Sequence, residues 1–234
     1  MSRPESAARR RLLRQAGLLA LPLAVPTPLR ALAAGPLCVV RPPQTAGPFF
    51  LDRRLDRSDI RSDPGDGVPR PGVPLSLAIR VGRIDADDCT PVADAVVDLW
   101  QCDAQGRYSG VGMGREVPDA TGFLRGFQRT GADGVARFLT IVPGAYPGRA
   151  VHIHFTVRSV LADGRRHAFT SQLYFDDALI DAAHAHPAYP RRARRRTRNA
   201  EDGIFRRGDG ERLLLDPVPD GEGFAAIFDL ALAV

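Results

Sequence analysis

The chain reads as an all-β protein, an antiparallel β-sandwich of two packed sheets with long loops and little helix. Three observations point there. From Leu75 onward the sequence falls into short runs in which apolar and polar residues alternate, the period of a half-buried strand. Turn-forming clusters separate those runs: Asp85-Ala-Asp-Asp88, Ala132-Asp-Gly134, Ala162-Asp-Gly164 and Asp220-Gly-Glu-Gly223. Only residues 176–184 read as helical. With 234 residues, 44% of them hydrophobic, the chain can bury one sizeable core, and many short strands at this spacing build a sandwich.

Taken in order, residues 1–33 read as an export signal. Arg9, Arg10 and Arg11 precede Leu12 and Leu13, an apolar run spans Ala16 to Val25, and Ala31-Leu-Ala33 offers a small-residue cleavage site. Paired arginines before leucines resemble a twin-arginine signal, the bacterial route for proteins exported already folded. The expected location is periplasmic or extracellular. The apolar run is short for a membrane span, so no stable membrane insertion is expected once the signal is removed. The formal net charge is +5, but six arginines and one acid lie in these 33 residues, and the rest carries 26 basic and 26 acidic residues. That balance removes nucleic acid as a default partner.

Residues 34–74 form an extended N-terminal arm. Arg41-Pro-Pro-Gln-Thr-Ala-Gly-Pro-Phe-Phe50 is held open by proline, and the polar stretch to Pro74 has no apolar periodicity, as expected of a surface segment. Residues 75–234 form the sandwich domain, with strands expected at 75–84, 95–101, 122–129, 135–141, 150–160, 167–175, 212–215 and 224–232. Cys89 and Cys102 flank a strand-and-turn unit. In an oxidising compartment they either bridge, leaving Cys38 as the odd one, or remain two half-buried thiols. The basic run at residues 191–198 reads as a solvated loop, with a steering patch for an anionic ligand as the alternative.

The chemistry concentrates in Thr140-Ile-Val-Pro-Gly-Ala-Tyr-Pro-Gly-Arg-Ala-Val-His-Ile-His-Phe155. In a strand His152 and His154 share one face, where two imidazoles can hold one metal ion. Tyr146 and Tyr108 both sit on glycine-framed turns, and no carboxylate or cysteine lies between Tyr146 and His154 to complete a zinc set. Phenolate is a hard anionic donor, and tyrosine titrates near about 10, so two tyrosine ligands call for a strongly acidic cation. Fe(III) meets that demand better than Zn(II) or Cu(II).

Trp100-Gln-Cys-Asp-Ala-Gln-Gly-Arg-Tyr-Ser109, the Thr140 to Arg149 stretch and His152-Ile-His-Phe155 together resemble the intradiol ring-cleavage dioxygenases, non-haem Fe(III) enzymes. Thr45-Ala-Gly-Pro-Phe-Phe50 resembles that family's N-terminal element, and Ser171-Gln-Leu-Tyr-Phe175 its strand after the histidines. The likeness covers roughly residues 40–230, and the export signal resembles an exported subgroup. It implies Tyr108 and His152 as equatorial iron ligands, Tyr146 and His154 as axial ones, and Arg149 stabilising negative charge on the substrate ring with Gln172 beside it. The implied reaction cleaves a catechol-type diol between its hydroxylated carbons with O2, giving a muconate-type diacid. Tyr146 would leave the metal and take up a substrate proton. Only five residues separate Tyr146 from His152, where better-known members carry a longer loop, and the long helical N-terminal region of catechol dioxygenases is missing. No oligomeric state follows. Two other classes remain in view: a secreted copper or zinc sandwich using His152, His154, His184 and His186, and a transthyretin-like binding module.

Overall fold

The computed structural model describes residues 38–85, 88–112, 115–116, 121–160, 164–191 and 196–232. The export signal at residues 1–33 and the middle of the basic run, residues 192–195, lie outside the described residues.

Two sheets face each other across one core. The first is organised on β1 (Pro74–Asp85), with β11 (Gly223–Leu232) along one edge and β10 (Val218–Asp220) beyond it. Along the other edge β7 (Val135–Ile141) pairs with the first half of β1 and β2 (Asp88–Pro91) with the second. The second sheet runs β6 (Arg125–Arg129), β3 (Val96–Trp100), β8 (His152–Val160), β9 (Arg166–Tyr174), antiparallel throughout. A two-residue pair, β4 (Val111–Gly112) with β5 (Arg115–Glu116), stands apart. The sandwich is as expected, with one departure: β1 and β11, from opposite ends of the domain, pair in parallel from Leu75↔Phe224 to Arg83↔Leu232.

Alternation explains the packing. Leu75, Leu77, Ile79 and Val81 of β1, Val97 and Leu99 of β3, Ile153, Phe155 and Val157 of β8, and Phe228 and Leu230 of β11 meet in the core. Each such side chain contributes about 1.5–3 kcal/mol on leaving water. The even-numbered β8 residues must then face away from the core. His152 and His154 are nevertheless only 1% exposed, so something other than the opposite sheet covers them.

The cover is the N-terminal arm with the loops after β3 and β7. The arm does more than coat the surface: Ile60 is fully buried, and Asp56, Asp59 and Val40 make strand bridges to Phe127, Leu139 and Ala231. Gln44 donates its backbone N–H to Thr170 O at 3.0 Å. The arm's start is tied down by a Cys38–Cys89 disulfide, Cα–Cα 5.6 Å, while Cys102 is a buried thiol outside any disulfide. Neither expected cysteine arrangement is therefore right. Cys102 sits inside the β3 loop, its Sγ donating to Gly144 O at 3.3 Å, while the arm carries Cys38 to β2.

Six of the expected strands lie within two residues of their observed ends, and residues 122–129 begin pairing only at Arg125. Residues 212–215 are not a strand. A 3₁₀ turn occupies Gly210–Leu213, and Leu214 makes a single bridge to Tyr174. A short apolar run fits a buried turn as well as a strand, so periodicity could not arbitrate. The expected helix is α1 (Asp177–Ala183), capped by Asp176. A second, α2 (Gly203–Arg207), begins at the N-cap Asp202 and had no sequence expectation. Arg196 and Arg198, the described end of the basic run, bind the α1 acids: Arg196 Nη1 lies 2.5 Å from Asp177 Oδ1 and Arg198 Nη1 2.6 Å from Asp181 Oδ2. These two arginines brace a helix rather than await an anion.

Candidate metal centre

The outer face of the second sheet carries a row of four paired residues: Arg125, Trp100, His154 and Gln172. One step along, His152 pairs with Tyr174. The two histidines are thus neighbours on one strand, with Gln172 and Tyr174 beside them on the next. Trp100 stacks flat on His154, centroids 5.0 Å apart and planes 5° from parallel. Gly47 of the arm, at φ +65°, approaches the same ring; a Cβ there would stand 3.4 Å from His154 Cε1.

The tyrosines arrive on two loops locked back to back. After β3, the buried Asp103 accepts from the backbone N–H groups of Gln105 and Arg107, both at 2.9 Å, folding the loop that ends in Tyr108. After β7, Gly144 donates to Asp103 O at 3.1 Å. A Cβ at Gly144 would lie 2.4 Å from Ala104 O, so only glycine lets the Tyr146 loop come this close. Thr140 Oγ1 donates to Gln101 Oε1 at 3.0 Å, and Gln101 Nε2 to Ile141 O at 2.8 Å. Phe49 of the arm stacks on Tyr108 at 4.4 Å.

These elements bring all four expected ligands to one point. His152 Nε2 is 3.0 Å from His154 Nε2, 3.1 Å from Tyr146 Oη and 3.5 Å from Tyr108 Oη. His152 Nδ1 donates to Ala150 O at 2.7 Å, which places the ring proton away from the cluster and leaves Nε2 as a lone-pair donor. The spacing fits one cation. Metal–nitrogen bonds of ~2.0–2.1 Å put ligands ~90° apart at ~3.0 Å and ligands ~120° apart at ~3.6 Å. The distances of His154, Tyr146 and Tyr108 from His152 Nε2 all fall within this range.

Electrostatics makes the same demand. Burial lowers the His152 imidazole to about 3, with Arg149 adding to the effect, and burial takes His154 well below its ordinary value. Both are neutral at working pH. Burial also raises the Tyr108 phenol well above its usual range, and raises Tyr146 although Arg149 pulls the other way. Without a cation both phenols keep their protons, so a metal held here must be acidic enough to displace them.

Arg149 reaches over the cluster. Its Nη1 lies 3.3 Å from His152 Nε2 and its Nη2 donates to Gln172 Oε1 at 2.5 Å, bringing the two expected non-ligand residues together. Sequence reasoning gave Tyr174 no role, and the structure corrects this. Tyr174 is fully buried, its hydroxyl meeting Arg149 Nη2 at 3.3 Å, Gln172 Oε1 at 3.1 Å and Gln44 Oε1 at 2.8 Å. Strand alternation from Gln172 was the signal that could have found it. Asp202 was missed as well: it accepts from Arg149 Nε at 2.9 Å across 53 residues, and no local pattern announces it.

The copper or zinc alternative is not assembled. His184 Nε2 donates to Pro143 O at 2.9 Å with its ring stacked on Tyr189, and His186 Nδ1 accepts from Ala188 N. Among the described residues no three His, Cys, Asp or Glu side chains converge on a metal position.

The Dioxygenase_C family model, described as dioxygenase, matches residues 45–201. The chain is similar to the protocatechuate 3,4-dioxygenase beta chain of Burkholderia cepacia, 33% identical over 192 residues, covering 78% of this chain and 72% of that one. Among solved structures it resembles an intradiol ring-cleavage dioxygenase from Tetranychus urticae, with a TM-score of 0.71 and 31% identity over 84% of this chain and 95% of that one. It also resembles the dioxygenase domain of a dioxygenase carbohydrate-binding protein fusion from Streptomyces sp. SirexAA-E, with a TM-score of 0.57 and 32% identity over 84% and 99%.

Proposed function

The chain belongs to the Dioxygenase_C family and is an intradiol ring-cleaving dioxygenase acting on catechol-type substrates with O2, and on that premise we propose that Tyr108, Tyr146, His152 and His154 hold a ferric ion and that Arg149 and Gln172 act on the bound substrate. The observation that carries the proposal is the meeting of two phenol oxygens and a second imidazole within 3.5 Å of His152 Nε2. Ferric ion bound there would draw the protons from both phenols, chelate the diol oxygens and make the ring reactive towards O2.

The protein's own residues would do the rest. His152, held by Ala150 O, fixes one ligand direction. Tyr146 immediately precedes the exposed Pro147-Gly148 turn, and its oxygen would receive one of the two protons the diol gives up. Arg149, already hydrogen-bonded to Gln172, places positive charge beside the ring as negative charge develops there. Trp100 and the Thr45-to-Phe50 segment exclude water from the far side of the two histidines.

The testing experiment is the visible spectrum of purified protein reconstituted with ferric ion. Tyrosinate bound to Fe(III) absorbs in the visible, and the band should shift when a catechol is added without O2. Tyr108→Phe and His154→Ala should each lose iron or the band. Full colour and turnover in Tyr108→Phe would remove that residue from the ligand set.

Export through the twin-arginine route remains part of this proposal. The Cys38–Cys89 disulfide supports it, because such bonds persist in oxidising compartments. Changing Arg9 and Arg10 to lysine should trap precursor in the cytoplasm; unchanged export would refute the route.

A further inference from the structure

Asp202 is fully buried, lies outside every motif that pointed to the site, and touches no expected metal ligand directly. Each carboxylate oxygen has two backbone or side-chain donors. Oδ2 accepts from Arg149 Nε at 2.9 Å and from Ala150 N at 3.0 Å. Oδ1 accepts from Ile204 N at 2.7 Å and Phe205 N at 3.4 Å, capping α2. One charge thus binds three things: a guanidinium, the residue that fixes an imidazole, and the start of a helix.

The consequences differ for each. Arg149 has its Nε on Asp202, Nη2 on Gln172 and Nη1 at 3.3 Å from His152. A guanidinium is planar, so anchoring Nε and Nη2 leaves Nη1 only one direction. Ala150, gripped through its N–H, presents its carbonyl to His152 Nδ1 at 2.7 Å, the bond that turns Nε2 towards the cluster. A buried charge is kept only where its partners justify the desolvation. Helix capping alone does not require one, since asparagine or serine caps about as well.

We propose that Asp202 is the positioning residue of this site: its carboxylate aims Arg149 at the substrate ring and, through Ala150, holds His152 in the tautomer that presents Nε2. The inference rests on the role given to Arg149 above. It assigns no contact between Asp202 and substrate or metal.

Asp202→Asn and Asp202→Ser both keep a capping oxygen while removing the charge, so α2 and the fold are retained, checked by far-UV circular dichroism and melting temperature. In the iron-loaded protein each should lower kcat for catechol about tenfold or more. In an Arg149→Gln background the same changes should cost less than about twofold, because residues acting through one another are not additive. In metal-free protein, imidazole ¹⁵N shifts should show His152 as the Nδ1–H tautomer, and a mixture in Asp202→Asn. An undiminished kcat, or an equal loss with and without Arg149, overturns the Arg149 half; an unchanged His152 signature overturns the other. If Arg149→Gln alone turns over normally, the proposed role of Arg149 falls and this inference falls with it. If Arg149→Gln is impaired but Asp202→Asn is not, only the inference fails.

Discussion

His152 Nε2 and His154 Nε2 face each other at 3.0 Å in a site where both rings are almost completely buried. Two neutral imidazoles so placed cannot both become imidazolium. The unfolded chain has no such restraint and takes up protons near pH 6.5, while folded His152 resists until about pH 3, chiefly because of burial. A histidine depressed on folding contributes stability that is complete above its unfolded value and is lost as pH falls towards its folded one. Metal-free protein should therefore lose stability from about pH 6.5 downward, by up to ~1.4 kcal/mol per pH unit for each histidine. Adding ferric ion at a hundred times its dissociation constant should add ~2.7 kcal/mol at neutral pH, where no histidine contribution has been lost. Denaturant titrations across pH check both; a flat profile between pH 6.5 and 4 in a variant-sensitive assay would count against neutral, buried imidazoles.

Tyr174→Phe should separate iron binding from turnover. The ring remains buried against Phe205 and the strand register survives, so the metal and the coloured band should be retained. What goes is the hydroxyl shared by Arg149, Gln172 and Gln44. Losing it leaves Gln44 Oε1 without that donor and loosens Arg149, and a relaxation worth ~1.4 kcal/mol in the transition state lowers kcat about tenfold. Steady-state kinetics on iron-replete protein decide; unchanged kcat would show that Gln172 and Asp202 suffice to hold the arginine.

Gly144→Ala tests the lock between the tyrosine loops. Its Cβ would meet the carbonyl oxygens of Ala104 and Asp103 at 2.4 and 2.5 Å, backbone atoms that no rotamer change can move. The loops must part, carrying Tyr108 and Tyr146 away from His152, at ~1–3 kcal/mol of overpacking. Lower melting temperature together with lost iron is the expected result. Gly148→Ala is the contrasting change: nothing lies within 4 Å of its Cβ, and although its φ of +82° strains a side chain, iron binding should persist.

The pattern of what was readable follows from where each interaction lives in the chain. His152 and His154 were legible because a two-residue period puts both on one strand face, and Gln172 because a short motif carries it. The same stretch contains Tyr174, which alternation from Gln172 places on the same face. Asp202 joins Arg149 across 53 residues through a buried ion pair, and spacing holds no record of such a contact. The Cys38–Cys89 bridge was hidden for the same reason: the arm had no periodicity, so nothing indicated that it crosses to β2. Residues 212–215 failed differently, because three consecutive leucines satisfy a buried turn and a strand alike.

The reaction itself carries the last prediction. Membership among the intradiol ring-cleaving dioxygenases means cleavage of a catechol-type diol between its hydroxylated carbons rather than beside them. Both atoms of O2 then enter the diacid. Labelled oxygen gas with mass analysis reads this directly: an extradiol semialdehyde, or one labelled atom under conditions that prevent solvent exchange, is incompatible with it. Scope follows from the five residues between Tyr146 and His152, which leave Pro147 and Gly148 exposed at the edge of the site. A tight pocket separates substrates differing by one methylene by ~1–3 kcal/mol. With so little chain to wall the cavity on that side, kcat/KM should vary much less than this across alkyl-substituted catechols. A steep fall from catechol to its larger derivatives would place a wall there from another element, Phe49 or the neighbouring arm, and truncating Phe49 to alanine should then flatten the series.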